Sequence, residues 1–239
     1  MHVLELWRYP VKSLQGELLQ SATVGAQGIE GDRRFAIFDA ETGFGLTGRR
    51  VPELLFGSAS YVSGELRITL PDGSIASDDA ALSTWLGRSV VLRSTDEEVS
   101  RRYESPEFVD NSGDFEHDAD WDPFEGAQGS FRDSEATVVS LVSEGTLRGW
   151  DRRRFRSNIL LSDSGEDDLV GSRVSLGGAV LDLTKQVGRC VMVTRTQPDG
   201  IDKDLDVLRT IHRERGGKLA VGASVVVGGA VAVGDTLSL

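Results

Sequence analysis

Every apolar run in this chain is short. Stretches of about five residues recur along the sequence and are separated by turns that draw on 28 glycines, so no segment offers the long apolar periodicity of a core helix. Such punctuation predicts many short strands and few helices: a mainly β chain, built as a small barrel or curled sheet rather than a doubly wound sheet. The expected strands are Val3–Arg8, Arg34–Phe38, Leu66–Leu70, Thr137–Val142, Asn158–Leu161, Arg173–Leu176, Ala179–Leu183, Val191–Arg195, Val225–Val227, Ala230–Val233 and a last one after Gly234-Asp235. Helices are expected at Asp79–Leu86, capped by Ser77 or Asp78 and stopped by Gly87, and just after a Ser143 cap. A third is expected at Lys203–Arg215, started by Asp202, with Leu205, Leu208 and His212 on one face and Gly216-Gly217 at its end.

Charge divides the chain. The formal balance is −12 over 239 residues, and the stretch 96–135 alone contributes 14 acids against Arg101, Arg102 and Arg132. The expected organisation is therefore 1–95, an acidic connecting segment 96–135, and 136–239. That segment reads as a solvated connection, or else as an acidic docking surface or a lid. Asp118, Asp120 and Asp122 resemble the start of a calcium loop, but Pro123 and Gly129 stand where its Gly and Glu belong, which excludes it. An acidic protein is a poor nonspecific ligand for nucleic acid. No run approaches membrane-spanning length, and the start Met1–Tyr9 lacks the basic flank and apolar stretch of a secretory signal, so no membrane contact and a cytoplasmic setting are expected.

A single cysteine excludes an intrachain disulfide and any all-cysteine metal site within the chain. Cys190 is either a small core residue or, with the Arg189 cation favouring the thiolate, a metal ligand or nucleophile. His2, His117 and His212 form no recognisable pattern with it. Arg148–Arg156 packs five arginines into nine residues. Such a cluster implies either an anionic cofactor or pairing with the 96–135 acids. Lys12-Ser13, after the first strand, could hold a phosphate. Gly216-Gly217-Lys218 lacks the spacing of a phosphate loop.

Taken in order, several fragments resemble the MOSC family, the molybdenum cofactor sulfurase C-terminal type, in its arrangement with an N-terminal β-barrel domain. They are Tyr9-Pro10-Val11-Lys12-Ser13, Gly28-Ile29-Glu30-Gly31-Asp32-Arg33-Arg34-Phe35, Leu46-Thr47-Gly48-Arg49-Arg50 and Phe131-Arg132-Asp133 in the first part. Leu141-Val142-Ser143-Glu144, Phe155-Arg156-Ser157-Asn158-Ile159, Gly188-Arg189-Cys190 and Val233-Gly234-Asp235 follow. The resemblance implies a β-barrel MOSC fold with a few short helices plus a smaller N-terminal β-barrel-like domain. It implies the molybdenum cofactor, molybdenum on a molybdopterin, with Cys190 as the thiolate ligand and catalytic centre. Lys12, Ser13, Arg33, Arg156 and Asn158 match positions that hold the pterin and its phosphate, and Ser143 and Arg189 join that set. Three departures stand out: Leu169 follows Asp168 where the family has Trp, Arg132 replaces a common His, and Ser157 replaces the Pro of Arg-Pro-Asn.

By the same resemblance the chain is expected to reduce small N-hydroxylated compounds, like the amidoxime-reducing and hydroxylaminopurine-detoxifying members. With no further cysteine for a cluster, electrons are expected from a separate protein: a ferredoxin, a flavodoxin, or a cytochrome b5-like protein with its reductase. The alternatives are a noncatalytic carrier of the cofactor or of a persulfide sulfur on Cys190, and a β-barrel interaction module with an inert Cys190.

Overall fold

The computed structural model describes residues 1–106 and 120–239. His117 and Asp118, and with Asp118 the start of the calcium-like run, lie outside the described residues. The molecule is mainly β, as the short apolar runs predict. Its largest sheet has eight strands in the order Leu237–Ser238, Arg173–Leu176, Ala179–Gly188, Lys218–Val227, Val139–Ser143, Ile159–Leu161, Val3–Arg8 and Glu17–Leu19. Among the described residues no helix is long and apolar enough to cross a membrane.

The first strand ties the two ends of the chain together. Val3–Arg8 pairs antiparallel with Ile159–Leu161, and its register shifts between Val3 and Glu5. This bulge breaks strict alternation, so Val3 and Leu6, three positions apart, both become fully buried. Their core also takes Val24, Ile29, Leu141, Ile159, Leu181 and Val221. Burying one such aliphatic side chain contributes roughly 1.5–3 kcal/mol. Ser21–Gly25 pairs with Gly229–Ala232, so residues near the start share this core with the C-terminal half. A second core, with Val11, Leu14, Ile37, Leu54, Ile68 and Leu82, lies under the pairs Phe35–Asp39 with Val90–Ser94 and Ser58–Val62 with Glu65–Thr69.

Helix α1 (Asp79–Leu86) begins at Asp78, whose carboxylate accepts from the Ala81 N–H at 2.9 Å, and ends at Gly87 in the left-handed region. Helix α2 (Glu144–Leu147) is capped by Ser143. Helix α3 (Leu205–Arg215) starts two residues later than its sequence suggests, because Asp204 rather than Asp202 accepts the first free N–H, that of Asp206. Its buried face is Val207, Leu208 and Ile211, leaving His212 exposed. The expected strand Val191–Arg195 is instead a 3-10 turn, Val191–Thr194. Val191, Val193 and Thr194 are all buried there, and a short run buried on every side carries no period to separate strand from helical turn. Within the acidic segment, Arg102–Pro106 pairs antiparallel with Trp121–Glu125, and Tyr103 and Phe131 are fully buried, so the segment is not a featureless connection.

Candidate functional site

Between the two cores lies a cavity of about 320 Å³, at the lower end of small-ligand pockets. Strand ends and turns build it. Lys12 and Ser13 follow the first strand, Arg33 follows the Gly28–Ile29 strand, and Arg156 and Asn158 lead into Ile159–Leu161. The strand Ala179–Gly188 runs five residues past its expected end and delivers Arg189 and Cys190 to the wall. Ser13, Arg33 and Arg156 all have left-handed backbones, with φ of 71°, 50° and 54°. Three non-glycine residues in that region of one wall store strain of about 1 kcal/mol or more each. Local bonds hold them: the Ser13 Oγ accepts from the Gly48 N–H at 2.9 Å, and the Arg33 N–H donates to the Tyr9 carbonyl at 2.7 Å.

Cations dominate the lining. Among the described residues Lys12, Arg33, Arg49, Arg132, Arg156, Lys185 and Arg189 face the space, against the single carboxylate of Asp133. The Asp133 oxygens are shared between Lys12 and Arg49. Behind the wall, the fully buried Asp32 carboxylate pairs with Arg33 and with Arg132, the latter at 3.3 Å. Burial opposes its ionisation, yet Arg33 and Arg132 outweigh that and hold its carboxyl below the ordinary range. The Tyr9 ring lies between the Arg33 and Arg156 guanidinium groups, 4.8 and 4.5 Å from its centroid.

Crowding leaves several of these cations short of partners. Burial, then repulsion from Arg49, Arg33 and Arg156, pushes the Lys12 ammonium well below its ordinary pKa. Burial likewise lowers Arg156 and Arg189 to about 10. Arg156 donates one Nη2 bond to the Leu14 carbonyl, and Arg189 donates from Nε to Leu219 at 2.7 Å and from Nη1 to Phe155 at 2.9 Å. Among the described residues the Nη1 of Arg156, the Nη2 of Arg189 and the Thr47 hydroxyl are buried without a hydrogen-bond partner. Buried donors are normally satisfied, so an incoming acceptor would be favoured here.

Cys190 lies on this wall, half-buried and extended, and its Sγ accepts from the Arg49 Nε at 3.3 Å. Among the described residues no three His, Cys, Asp or Glu side chains come together as a metal-binding group. A metal held here would have to bring most of its donors with it.

Seven of the residues expected from the sequence, Lys12, Ser13, Arg33, Arg156, Asn158, Arg189 and Cys190, line the one cavity. Ser143 does not. Its hydroxyl donates to Glu166 and accepts from the Thr146 N–H at 3.2 Å, which makes it the cap of α2. The Asn158 amide is engaged on both sides, accepting from Ser140 and donating to the Trp7 carbonyl, so it fixes the strand entry as it lines the wall. Of the arginine cluster only Arg156 reaches the cavity. Arg148 pairs with Glu214, Arg152 with Glu5, and Arg153 with Asp151 and Asp199, rather than with the described acids of 96–135. Arg154 donates to the carbonyls of Val193, Arg195 and Asp202. Of these carboxylates only Asp151 is a sequence neighbour; Glu5, Asp199 and Glu214 are brought to the arginines by the fold. Thr47, Arg49 and Asp133 were not singled out as site residues; the only signal for them was their place inside the fragments Leu46–Arg50 and Phe131–Asp133.

Arg132, at the position of the common His, reaches the Gln27 carbonyl at 2.8 Å as well as Asp32. The Ser157 hydroxyl is buried with no hydrogen-bond partner among the described residues, and nothing in the structure explains it in place of Pro. Leu169 packs against the large-sheet core.

Residues 1–101 match the MOSC N-terminal beta barrel domain and residues 133–238 match the MOSC domain. No curated protein matches the chain. Among solved structures, the YUAD protein from Bacillus subtilis is 11% identical over 99% of this chain and 93% of its own, with a TM-score of 0.44. YiiM from Geobacillus stearothermophilus is 16% identical over 59% of this chain and 72% of its own, with a TM-score of 0.36. With both domain families matched in order around a cavity that gathers the lone cysteine and a ring of cations, the chain belongs to the MOSC family, whose domain is associated with molybdenum cofactor binding.

Proposed function

We propose that the cavity holds the molybdenum cofactor and that the protein reduces small N-hydroxylated compounds. The observation that carries this reading is the pair of unpartnered buried donors, Arg156 Nη1 and Arg189 Nη2, in the same cavity as Cys190. They fit an anionic ligand that brings its own metal donors and asks the protein for one soft thiolate. Lys12, Ser13, Arg33 and Arg156 would hold the phosphate end, and Arg189 and Asn158 would border the ring system. Cys190 would supply the thiolate, with Arg49 fixing its Sγ.

When bound, the cofactor supplies a two-electron redox centre suited to removing oxygen from nitrogen. The balance is one hydroxylamine, two electrons and two protons giving one amine and one water. The chain's own contribution is to hold charge: its cations screen the phosphate, and the Asp133 carboxylate holds Lys12 and Arg49 side by side at the wall. Electrons would come from a redox centre outside these residues, because their one cysteine provides no cluster.

Metal analysis of protein from a host that makes the pterin tests the reading. About one molybdenum per chain is expected, with most of it lost in Cys190→Ala, and reduced viologen should drive amidoxime or hydroxylamine reduction by the wild type. Metal-free wild type would overturn the cofactor assignment. Loaded protein that reduces no N-hydroxylated compound would favour a carrier of the cofactor or of sulfur.

A further inference from the structure

Tyr103 and Phe124 stand directly opposite each other in the antiparallel pair of Arg102–Pro106 and Trp121–Glu125, with ring centroids 5.6 Å apart. Each ring carries one cation of the cavity wall. The Lys12 Nζ lies 4.2 Å from the Tyr103 centroid, and the Arg49 Cζ lies 5.3 Å from that of Phe124. The same two cations meet on Asp133. The cross-strand aromatic pair therefore sits beneath a pair of cations that share one carboxylate.

The Tyr103 position is built for a ring. Its side chain is fully buried, yet among the described residues its hydroxyl has no hydrogen-bond partner, so the contacts that favour the side chain there are those of the ring. A Cβ at Gly45 would come within 2.2 Å of the ring, and one at Gly126 within 2.6 Å, so the slot exists because both neighbours lack side chains. Backbone bonds of 2.8 Å, from Gly45 to Arg102 and from Gly126 to Arg101, hold both walls of the slot.

We infer that Tyr103 and Phe124 are positioning residues, a hairpin cradle that holds Lys12 and Arg49 on the cavity wall without using up the donors left for an anion. This rests on the reading of the cavity as an anion site. A ring face attracts a cation without occupying its N–H groups, whereas a second carboxylate would take them. Lys12 has three donors; among the described residues Phe131 accepts one at 3.2 Å and Asp133 another, leaving one to serve a ligand. The cradle also places part of the acidic segment in mechanical contact with the site, since both of its rings come from residues 102–125.

The test uses the full chain made in a host without the pterin pathway, labelled at lysine with carbon-13. Only Lys12, Lys185, Lys203 and Lys218 report, so assignment is direct. The ε-methylene signal of Lys12 should be moved upfield by the ring current of Tyr103. Tyr103→Phe should keep that shift and keep the affinity for inorganic phosphate measured by calorimetry. Tyr103→Leu should abolish the shift and weaken phosphate binding by about tenfold. Should Tyr103→Leu fail to fold, Phe124→Leu on the half-exposed side reads the same cradle through the Arg49 Nε–H resonance, which should move, with phosphate binding weakened. An unmoved Lys12 signal in Tyr103→Leu, or a lost shift with unchanged phosphate affinity, overturns the inference. Wild type that binds no phosphate while Tyr103→Leu still abolishes the shift supports the cradle and overturns the cavity reading instead.

Discussion

The Arg49 Nε donates to the Cys190 Sγ at 3.3 Å across 141 positions of sequence. The contact joins the two matched domains at the chain's one thiol, a soft-metal donor when ionised. Arg49 is itself clamped, by Asp133 on its Nη2 and by its carbonyl, which accepts from Arg195 at 2.9 Å. Neither half of the chain can supply this arrangement alone, because Lys12, Arg33 and Arg49 come from the first and Arg156, Arg189 and Cys190 from the second.

Arg49→Ala should therefore lower molybdenum content several-fold without unfolding the protein. Arg49→Lys should not restore it, since a lysine offers no planar fork to reach Cys190 and Asp133 together. Metal analysis beside a thermal melt checks this, and unchanged occupancy in Arg49→Ala would show that the contact is incidental.

Ser143→Ala should act on stability and spare the cofactor. Removing the hydroxyl takes a donor from the 1%-exposed Glu166 and a cap from α2, a loss of about 2 kcal/mol. Urea unfolding reads the loss; a fall in molybdenum content with stability intact would return Ser143 to the binding shell.

Much of this site was legible because its chemistry is rare in the sequence. Cys190 is the lone cysteine, and Lys12-Ser13 and Arg156 fall at strand ends, where a side chain can face a cavity without leaving the sheet. The density of arginines misled in part: Arg148 is neutralised by Glu214 and Arg152 by Glu5, acids distant in sequence that only the fold brings near, and Arg153 by Asp151 and Asp199. Ser143 was legible as a cap from its neighbours, and the same pattern cannot distinguish a cap from a ligand. Arg49 was not legible, since its partner lies 141 residues away and only the fold brings them together. The bulge that turns Val3 to the core is equally invisible to a period of two.

Anion affinity should fall as pH rises. In the free protein Lys12 is held well below its ordinary pKa, so between that lowered value and the ordinary one the unfolded chain keeps a proton that the folded chain has lost. Stability from this group accordingly increases with pH across the window. An anion reverses the preference by favouring the ammonium, so binding takes up protons within the window and weakens as pH passes upward through it. Arg156 and Arg189, lowered to about 10, extend the loss at the alkaline end. Phosphate titrations of cofactor-free protein in two buffers of different ionisation heat measure the uptake. Lys12→Met should remove most of it, and equal apparent enthalpies for wild type in both buffers would contradict the coupling.

Electron supply offers the remaining prediction. The stretch 96–135 carries a large excess of acids, and its Tyr103 and Phe124 underlie two cations of the cavity wall. A partner that docks on the described strand pair would meet the exposed carboxylates of Asp122 and Glu125, and one with a basic face would be steered to them. Its rate of turnover should fall as salt rises from low to physiological ionic strength, where the screening length shrinks to about 8 Å. A small dye needs no such orientation, so the viologen-driven rate should change far less over the same range. Reversing charge at Asp122 and Glu125, both exposed on the described hairpin, should depress the partner-driven rate and flatten its salt dependence while leaving the dye-driven rate intact. NADH alone should support no turnover, because the sequence holds no dinucleotide fingerprint. A partner-driven rate indifferent to both salt and charge reversal would move the docking site away from the hairpin.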